Sequence, residues 1–108
     1  MPRIGEIEPR ELKHRIERGD DILILDVREL EEIAIARLRG AVNLPMGEVP
    51  SRITELDPNR EIVVLCHHGI RSAQVAAYLA SMGFERVSNL SGGIDEWSAT
   101  VDPATPRY

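Results

Sequence analysis

Two short, uninterrupted apolar runs dominate the pattern of the chain, residues 22–25 (ILIL) and residues 62–65 (IVVL). Each run is too short for a helix and has no polar position, so we predict two strands that are buried on both faces. Apolar segments at 4–7, 41–44 and 84–90 add shorter strands to the prediction. Strands buried on both faces are typical of the centre of a parallel sheet.

The segments between the predicted strands carry apolar residues at helical spacing. The clearest helix follows the second run, where Val75, Leu79 and Met82 recur about one turn apart and Gly83 closes the helix. Strand and helix therefore alternate, which predicts an α/β fold with a small, mostly parallel sheet between helices. The other predicted helices are residues 9–18, residues 29–36, a short turn within 46–56, and residues 94–98, which carry Trp97 as a core anchor.

Composition and charge say more about the possible partners of the protein than about its fold. The 108 residues suit a single domain, and a net charge of -5 without a basic run argues against nucleic acid as the main partner. The chain starts without an apolar leader and has no apolar run near ~18 residues, so we predict neither a secretory signal nor a membrane partner. One cysteine excludes internal disulfides and fits a reducing compartment, by default the cytoplasm.

The only cysteine, Cys66, stands between the second apolar run and the helix that follows it. A strand-to-helix turn points backbone N–H groups into its mouth, and the helix N-terminus adds partial positive charge. Gly69 lets the turn curl, and Arg71 adds a cation with four residues between it and Cys66. Because such a turn favours a thiolate, we predict that Cys66 is a nucleophile.

An acid and a base, Asp26 and Arg28, follow the first apolar run. The carboxyl ends of parallel strands face the ligand crevice of an open α/β sheet, so this pair should lie beside the Cys66 turn. We expect the pair chiefly to support the turn, with direct substrate contact as the alternative. The cavity itself suits a small electrophile with an anionic remainder: thiosulfate, a persulfide, phosphate or arsenate.

Four segments of the chain match, in order, the signatures of a known family: DVRE at 26–29, GAVNLP at 40–45, CHHGIRSA at 66–73 and SGGIDEW at 91–97. The chain resembles the single-domain rhodaneses, which are thiosulfate sulfurtransferases. The resemblance implies one rhodanese-like domain over residues 1–108, a three-layer α/β/α arrangement with a five-stranded, mostly parallel sheet. Residues from about 100 to 108, which hold two prolines, should form an extended tail.

The resemblance also implies an activity and a set of residues for it. Cys66 would take a sulfane sulfur from thiosulfate or a persulfide donor, become a persulfide, and pass the sulfur to a thiophilic acceptor such as cyanide, a thiol or a protein. No cofactor is implied, and no metal. The remaining implied residues are the loop His67, His68, Gly69, Ile70, Arg71 and Ser72, with Arg71 facing the anion, and Asp26 and Arg28 as support.

One departure from the family pattern points to a more particular role. Many rhodaneses have Gly-His where this chain has Ala36 and Arg37. That variant, and the ending from Asp102 to Tyr108, resemble the rhodanese domains appended to ubiquitin-like-protein activating enzymes. This likeness implies a sulfur-relay carrier for cofactor or tRNA thiolation as an alternative.

Other interpretations of the Cys66 turn remain open. A cysteine phosphatase or arsenate reductase has five residues between its Cys and Arg, one more than this chain, and the extra residue makes room for an oxyanion. A metal site on Cys66, His67 and His68 is disfavoured because adjacent residues seldom point at one ion. A buried, inert cysteine and a rhodanese-like binding module without chemistry are the last two alternatives.

Overall fold

A computed structural model describes residues 4–108 and shows five strands in one parallel sheet. The order across the sheet is β1-β5-β4-β2-β3. The two apolar runs pair with each other at the centre, with Ile24 opposite Val63. The predicted α/β class and the parallel sheet are therefore confirmed. The strands are β1 (Gly5–Ile7), β2 (Ile22–Asp26), β3 (Val42–Asn43), β4 (Glu61–Leu65) and β5 (Val87–Leu90).

Helices occupy the connections where helical spacing was predicted, with one break. The segment 46–56 forms three short pieces, because Pro50 cannot continue the hydrogen bonding of a preceding turn and begins a new one. No helix within residues 4–108 has the length and apolar character needed to cross a membrane. The helices are α1 (Pro9–Glu17), α2 (Leu30–Ile35), α3 (Val49–Arg52) between 3-10 turns at Met46–Glu48 and Ile53–Glu55, α4 (Ile70–Ser81) and α5 (Gly93–Thr100).

Each face of the sheet has its own buried cluster, because side chains alternate along β4. Val64 and Cys66 belong to the cluster that includes residues of α3 and α4. Val63 and Leu65 belong to the cluster with residues of α1 and α5, where Trp97 is buried as predicted. Helices therefore cover both faces, and Cys66 directly follows β4, the most deeply buried strand of the sheet.

The prediction of an extended tail is wrong for the segment 101–108. The carboxylate of Asp102 accepts hydrogen bonds from the Ala104 N–H and the Thr105 hydroxyl, which turns the chain back. The hydroxyl of Ser98 then donates to the Thr105 carbonyl at 2.6 Å. Side-chain bonds of this kind outweigh the stiffness of the two prolines, and they bring Tyr108 to the carboxyl edge of the sheet.

Candidate active site

The two predicted functional segments meet at the carboxyl edge of the sheet. Asp26 lies opposite Leu65 in the register of β2 and β4. Beyond these residues the strands remain joined, because the Val27 N–H donates to the Leu65 carbonyl at 3.0 Å. The Cys66 turn and the segment after β2 are thus direct neighbours, as the sequence indicated.

The sulfur of Cys66 lies in a cradle of hydrogen-bond donors. The Gly69 N–H lies 3.1 Å from Sγ, the Ser72 N–H 3.3 Å and the Ser72 hydroxyl 3.2 Å. Gly69 makes the curl possible with φ of 101°, and a Cβ there would lie 3.3 Å from the Gly92 nitrogen. Donors from both the turn and the first turn of α4 therefore converge on one sulfur atom.

The cradle favours the thiolate of Cys66. Burial raises the pKa of this thiol, since a charge loses solvation in the protein. The hydrogen bonds from the Ser72 hydroxyl, the Ser72 and Gly69 N–H groups and the backbone of His68 lower the pKa, and together they outweigh burial. The pKa of Cys66 therefore lies below that of an ordinary thiol, which increases the fraction of thiolate at neutral pH.

The Ser72 hydroxyl has two competing acceptors. Its oxygen lies 3.2 Å from the Cys66 sulfur and 2.5 Å from Oδ1 of Asn89, a buried residue of β5. A hydroxyl carries one proton, so it donates to one acceptor at a time. The amide of Asn89 also donates to the Gly69 carbonyl at 3.1 Å. Sequence reasoning missed Asn89 because it belongs to no local motif and reaches the turn only through the pairing of β4 with β5.

Arg71 contacts an acid that the sequence did not single out. The resemblance implied a guanidinium that faces an anion in the cradle, but its two hydrogen bonds go to Glu32 of α2, at 2.7 and 2.8 Å. The hydrogen bonds from Arg71 are the largest influence on Glu32 and lower the pKa of its carboxyl to about 2, although burial opposes them. The pair is therefore fully charged at neutral pH.

Asp26 and Arg28 form a buried ion pair beneath the site. The Arg28 side chain has no exposed surface, and its guanidinium donates to the Asp26 carboxylate at 2.7 and 3.0 Å. It also donates to the Ala36 carbonyl at 2.7 Å and to the Tyr108 hydroxyl at 2.8 Å. Arg28 thus ties β2 to the end of α2 and to segment 101–108, and it makes no hydrogen bond to the Cys66 sulfur.

The two histidines line the mouth of the turn in different ways. The His67 ring lies between those of His68, at a centroid distance of 3.9 Å, and Tyr108, at 3.8 Å and nearly parallel. Its Nε2 is buried and has no hydrogen-bond partner within residues 4–108. The side chain of His68 is 58% exposed, with Nδ1 at 3.9 Å from Asp95. Ile70, also predicted for this loop, projects into solvent.

Comparisons with known proteins agree with this geometry. The family model described as a rhodanese-like domain matches residues 8–100. A sulfurtransferase of Allochromatium vinosum is 39% identical over 95 residues, which cover 88% of this chain and 89% of that protein. The thiosulfate sulfurtransferase GlpE of Ectopseudomonas mendocina is 30% identical over 107 residues, which cover 99% and 96% of the two chains.

The fold has counterparts among solved structures. A rhodanese-like domain protein from Staphylococcus aureus superposes with a TM-score of 0.83 and is 28% identical. The match covers 97% of this chain and 99% of that one. The predicted family and the predicted fold are both confirmed by these similarities.

Proposed function

The chain belongs to the rhodanese-like domain family, and from this premise we propose that it transfers a sulfane sulfur through a persulfide on Cys66. Sulfurtransferases resemble it over nearly its whole length, which supports the class of reaction. Thiosulfate or a persulfide is the donor, and a thiophilic group such as cyanide, a thiol or a protein thiol is the acceptor. A thiol that must stay free for this cycle fits a reducing compartment, and we assign the cytoplasm.

The reaction has two steps. The Cys66 thiolate attacks the sulfane sulfur of the donor, a new S–S bond forms, and the old bond breaks with its electron pair on the leaving group, which is sulfite in the case of thiosulfate. The acceptor then attacks the outer sulfur of the Cys66 persulfide. Cyanide leaves as thiocyanate, and the Cys66 thiolate is restored.

The convergence of two backbone N–H groups on the Cys66 sulfur, with the Ser72 hydroxyl beside them, carries this proposal. The N–H groups of Gly69 and Ser72 stabilise negative charge on the thiolate before the first step and after the second. A cysteine that only fills space in a core does not need such donors. The arrangement therefore favours chemistry over the two inert alternatives, the structural cysteine and the binding module.

The positions of these donors favour sulfur transfer over a reaction on an oxyanion such as phosphate or arsenate. The donors lie 3.1 to 3.3 Å from the sulfur itself, so they surround one atom. The charge of Arg71, which a phosphatase would direct at a phosphoryl group, is paired with Glu32. A phosphatase or arsenate reductase activity is accordingly the weaker candidate.

The other site residues have roles around the nucleophile. His67, His68 and Ile70 line the mouth and control which donor or acceptor approaches. Asp26 and Arg28 act below the turn as positioning residues, since neither contacts the sulfur. A relay role for cofactor or tRNA thiolation uses the same persulfide, with a protein thiol as acceptor.

Mass spectrometry of the intact protein tests the proposal. Incubation with thiosulfate or with an alkyl persulfide should add roughly 32 Da, the mass of one sulfur atom, and dithiothreitol should remove it. The variant Cys66→Ser should gain no mass and form no thiocyanate from cyanide. A wild-type protein that accepts sulfur from neither donor would refute the proposal and favour the binding module.

A further inference from the structure

Tyr108 joins the folded-back segment 101–108 to the active-site mouth through three contacts. Its ring stacks on His67 at 3.8 Å. Its hydroxyl donates to the Glu32 carboxylate at 2.8 Å and accepts from the Arg28 guanidinium, also at 2.8 Å. Tyr108 lies beyond residues 8–100, the part of the chain that matches the family. Segment 101–108 therefore adds contacts at the active site from outside the residues that match the family model.

The segment is anchored before it reaches the site. The Arg107 guanidinium donates two hydrogen bonds to Asp95 of α5, at 3.0 and 3.1 Å. Upstream, the buried Ser98 holds the Thr105 carbonyl. Thr105 and Arg107, the residues on either side of Pro106, are thus both held by hydrogen bonds, and this places Tyr108 at the active site.

A continuous series of hydrogen bonds runs from the core to the mouth. Arg28, fixed by Asp26, donates to Tyr108, Tyr108 donates to Glu32, and Glu32 accepts both bonds from Arg71. The Glu32 side chain is 19% exposed and that of Arg71 34%. In this partly buried setting an ion pair is screened less than on the surface, so Glu32 offsets the positive charge with which Arg71 acts on Cys66.

We propose that Glu32, positioned by Tyr108, masks the charge of Arg71 and thereby selects a persulfide over dianionic thiosulfate as sulfur donor. For the identity of the donor, the inference rests on the sulfurtransferase function proposed above. Tyr108 is a positioning residue in this account, since it acts through Glu32.

Thiosulfate and an alkyl persulfide differ in charge, so the two sulfur donors need different electrostatic surroundings at the active site. With thiosulfate, the Cys66 thiolate must approach a dianion, and the S–S bond breaks to release sulfite, which carries two negative charges. With a neutral alkyl persulfide, R–S–SH, the thiolate attacks the terminal sulfur and releases one thiolate, R–S⁻, leaving Cys66–S–SH. Only the first reaction needs an unmasked guanidinium at the mouth.

Alkylation of Cys66, the only cysteine of the chain, measures the charge at the mouth independently of sulfur transfer. Iodoacetate and iodoacetamide have similar shapes and differ by one negative charge. We expect Glu32→Gln to raise the ratio of their alkylation rates, iodoacetate over iodoacetamide, about five-fold. Tyr108→Phe keeps the ring on His67, loses the hydroxyl, and should raise the ratio about two-fold.

Two matched variants control for general effects of these substitutions. Glu61→Gln breaks another bidentate pair, with Arg15, at the opposite end of β4. Tyr78→Phe removes a hydroxyl that makes no hydrogen bond in the described part of the chain and lies away from the cradle on α4. Both should leave the ratio unchanged.

The donors themselves give the second measurement. In Glu32→Gln the KM for thiosulfate should fall about five-fold with little change in kcat, while the KM for the persulfide of N-acetylcysteamine stays the same. An alkylation ratio equal to that of the wild type, or equal KM changes for both donors, would overturn the inference. Failure of the wild type to take up sulfur would refute the proposed function, and the alkylation ratio would still decide whether Glu32 masks Arg71.

Discussion

Gly93 lies so close to His67 that a Cβ on residue 93 would come within 2.5 Å of the His67 carbonyl oxygen and 2.6 Å of the Cys66 carbonyl oxygen. This approach lets the Ile94 N–H donate to the Cys66 carbonyl and the Asp95 N–H to the His67 carbonyl. The start of α5 therefore fixes the backbone of the Cys66 turn through two hydrogen bonds. Gly93 is needed there because a side chain would clash with that backbone.

Gly93→Ala should disrupt the turn. Residue 93 also has φ of 63°, so alanine would meet both backbone strain and a clash. We expect a loss of about 2–4 kcal/mol in the free energy of unfolding and a large loss of sulfur uptake, measured by urea denaturation and mass spectrometry. Gly40→Ala is the matched control, since φ there is 85° but no atom lies within 4 Å. If both variants lose equal stability, the close contact is not the cause.

Ser72→Ala should raise the pKa of Cys66. The variant removes a hydroxyl that lowers this pKa and keeps the Ser72 N–H, so the thiolate fraction at neutral pH should fall. The pH dependence of iodoacetamide alkylation measures the effect, and its midpoint should move to higher pH. Ser81→Ala, on the exposed end of the same helix, should leave the midpoint unchanged. An unchanged midpoint in Ser72→Ala would show that the backbone donors suffice.

Asp26→Asn should lower the free energy of unfolding, although Asp26 makes no contact with the Cys66 sulfur. The substitution leaves the fully buried Arg28 guanidinium without its charged partner, which costs about 3–5 kcal/mol in comparable sites. Urea denaturation measures the loss. Arg52→Gln, at an exposed pair with Glu48 and Glu55, should have little effect. A small loss in Asp26→Asn would mean that water or a shifted side chain replaces the carboxylate.

The Glu32–Arg71 pair should make stability depend on pH in the acid range. The pKa of Glu32 is lowered from 4.5 to about 2 in the folded protein. The folded state therefore binds fewer protons than the unfolded state between these values, and the stabilisation is complete above pH 4.5 and is lost as the pH falls towards 2.

Urea denaturation at several pH values tests this dependence. The difference in unfolding free energy between the wild type and Glu32→Gln should be largest above pH 4.5 and should shrink as the pH approaches 2. Glu31→Gln, at an exposed neighbouring position on α2, should follow the wild type. A difference that stays constant with pH would contradict the ion pair as the source of the stabilisation.

Local sequence patterns were enough to predict the main strands and the turn that holds Cys66. The runs ILIL and IVVL are too short for helices and favoured buried strands. Cys66, Gly69 and Ser72 belong to one continuous strand-to-helix segment, and their hydrogen bonds follow from its geometry. The cradle around the Cys66 sulfur was therefore predictable, because every group in it lies within seven residues of the chain.

Whether the charge of Arg71 is paired depends on contacts between segments that are far apart in sequence. Sequence reasoning placed Arg71 in the Cys66 loop as the charge that faces an anion but could not assign its partner, because Glu32 lies 39 residues away and Tyr108 76 residues from Glu32. The tail was predicted to extend, yet the Asp102 turn folds it back onto His67. By itself the sequence determined the fold class and the family, and it placed Cys66 in the turn between β4 and α4, since these follow from short-range pattern. The tertiary structure alone decided that Arg71 is paired and that Tyr108 holds the pair, because hydrogen bonds between side chains far apart in sequence form only when the sheet brings their elements together.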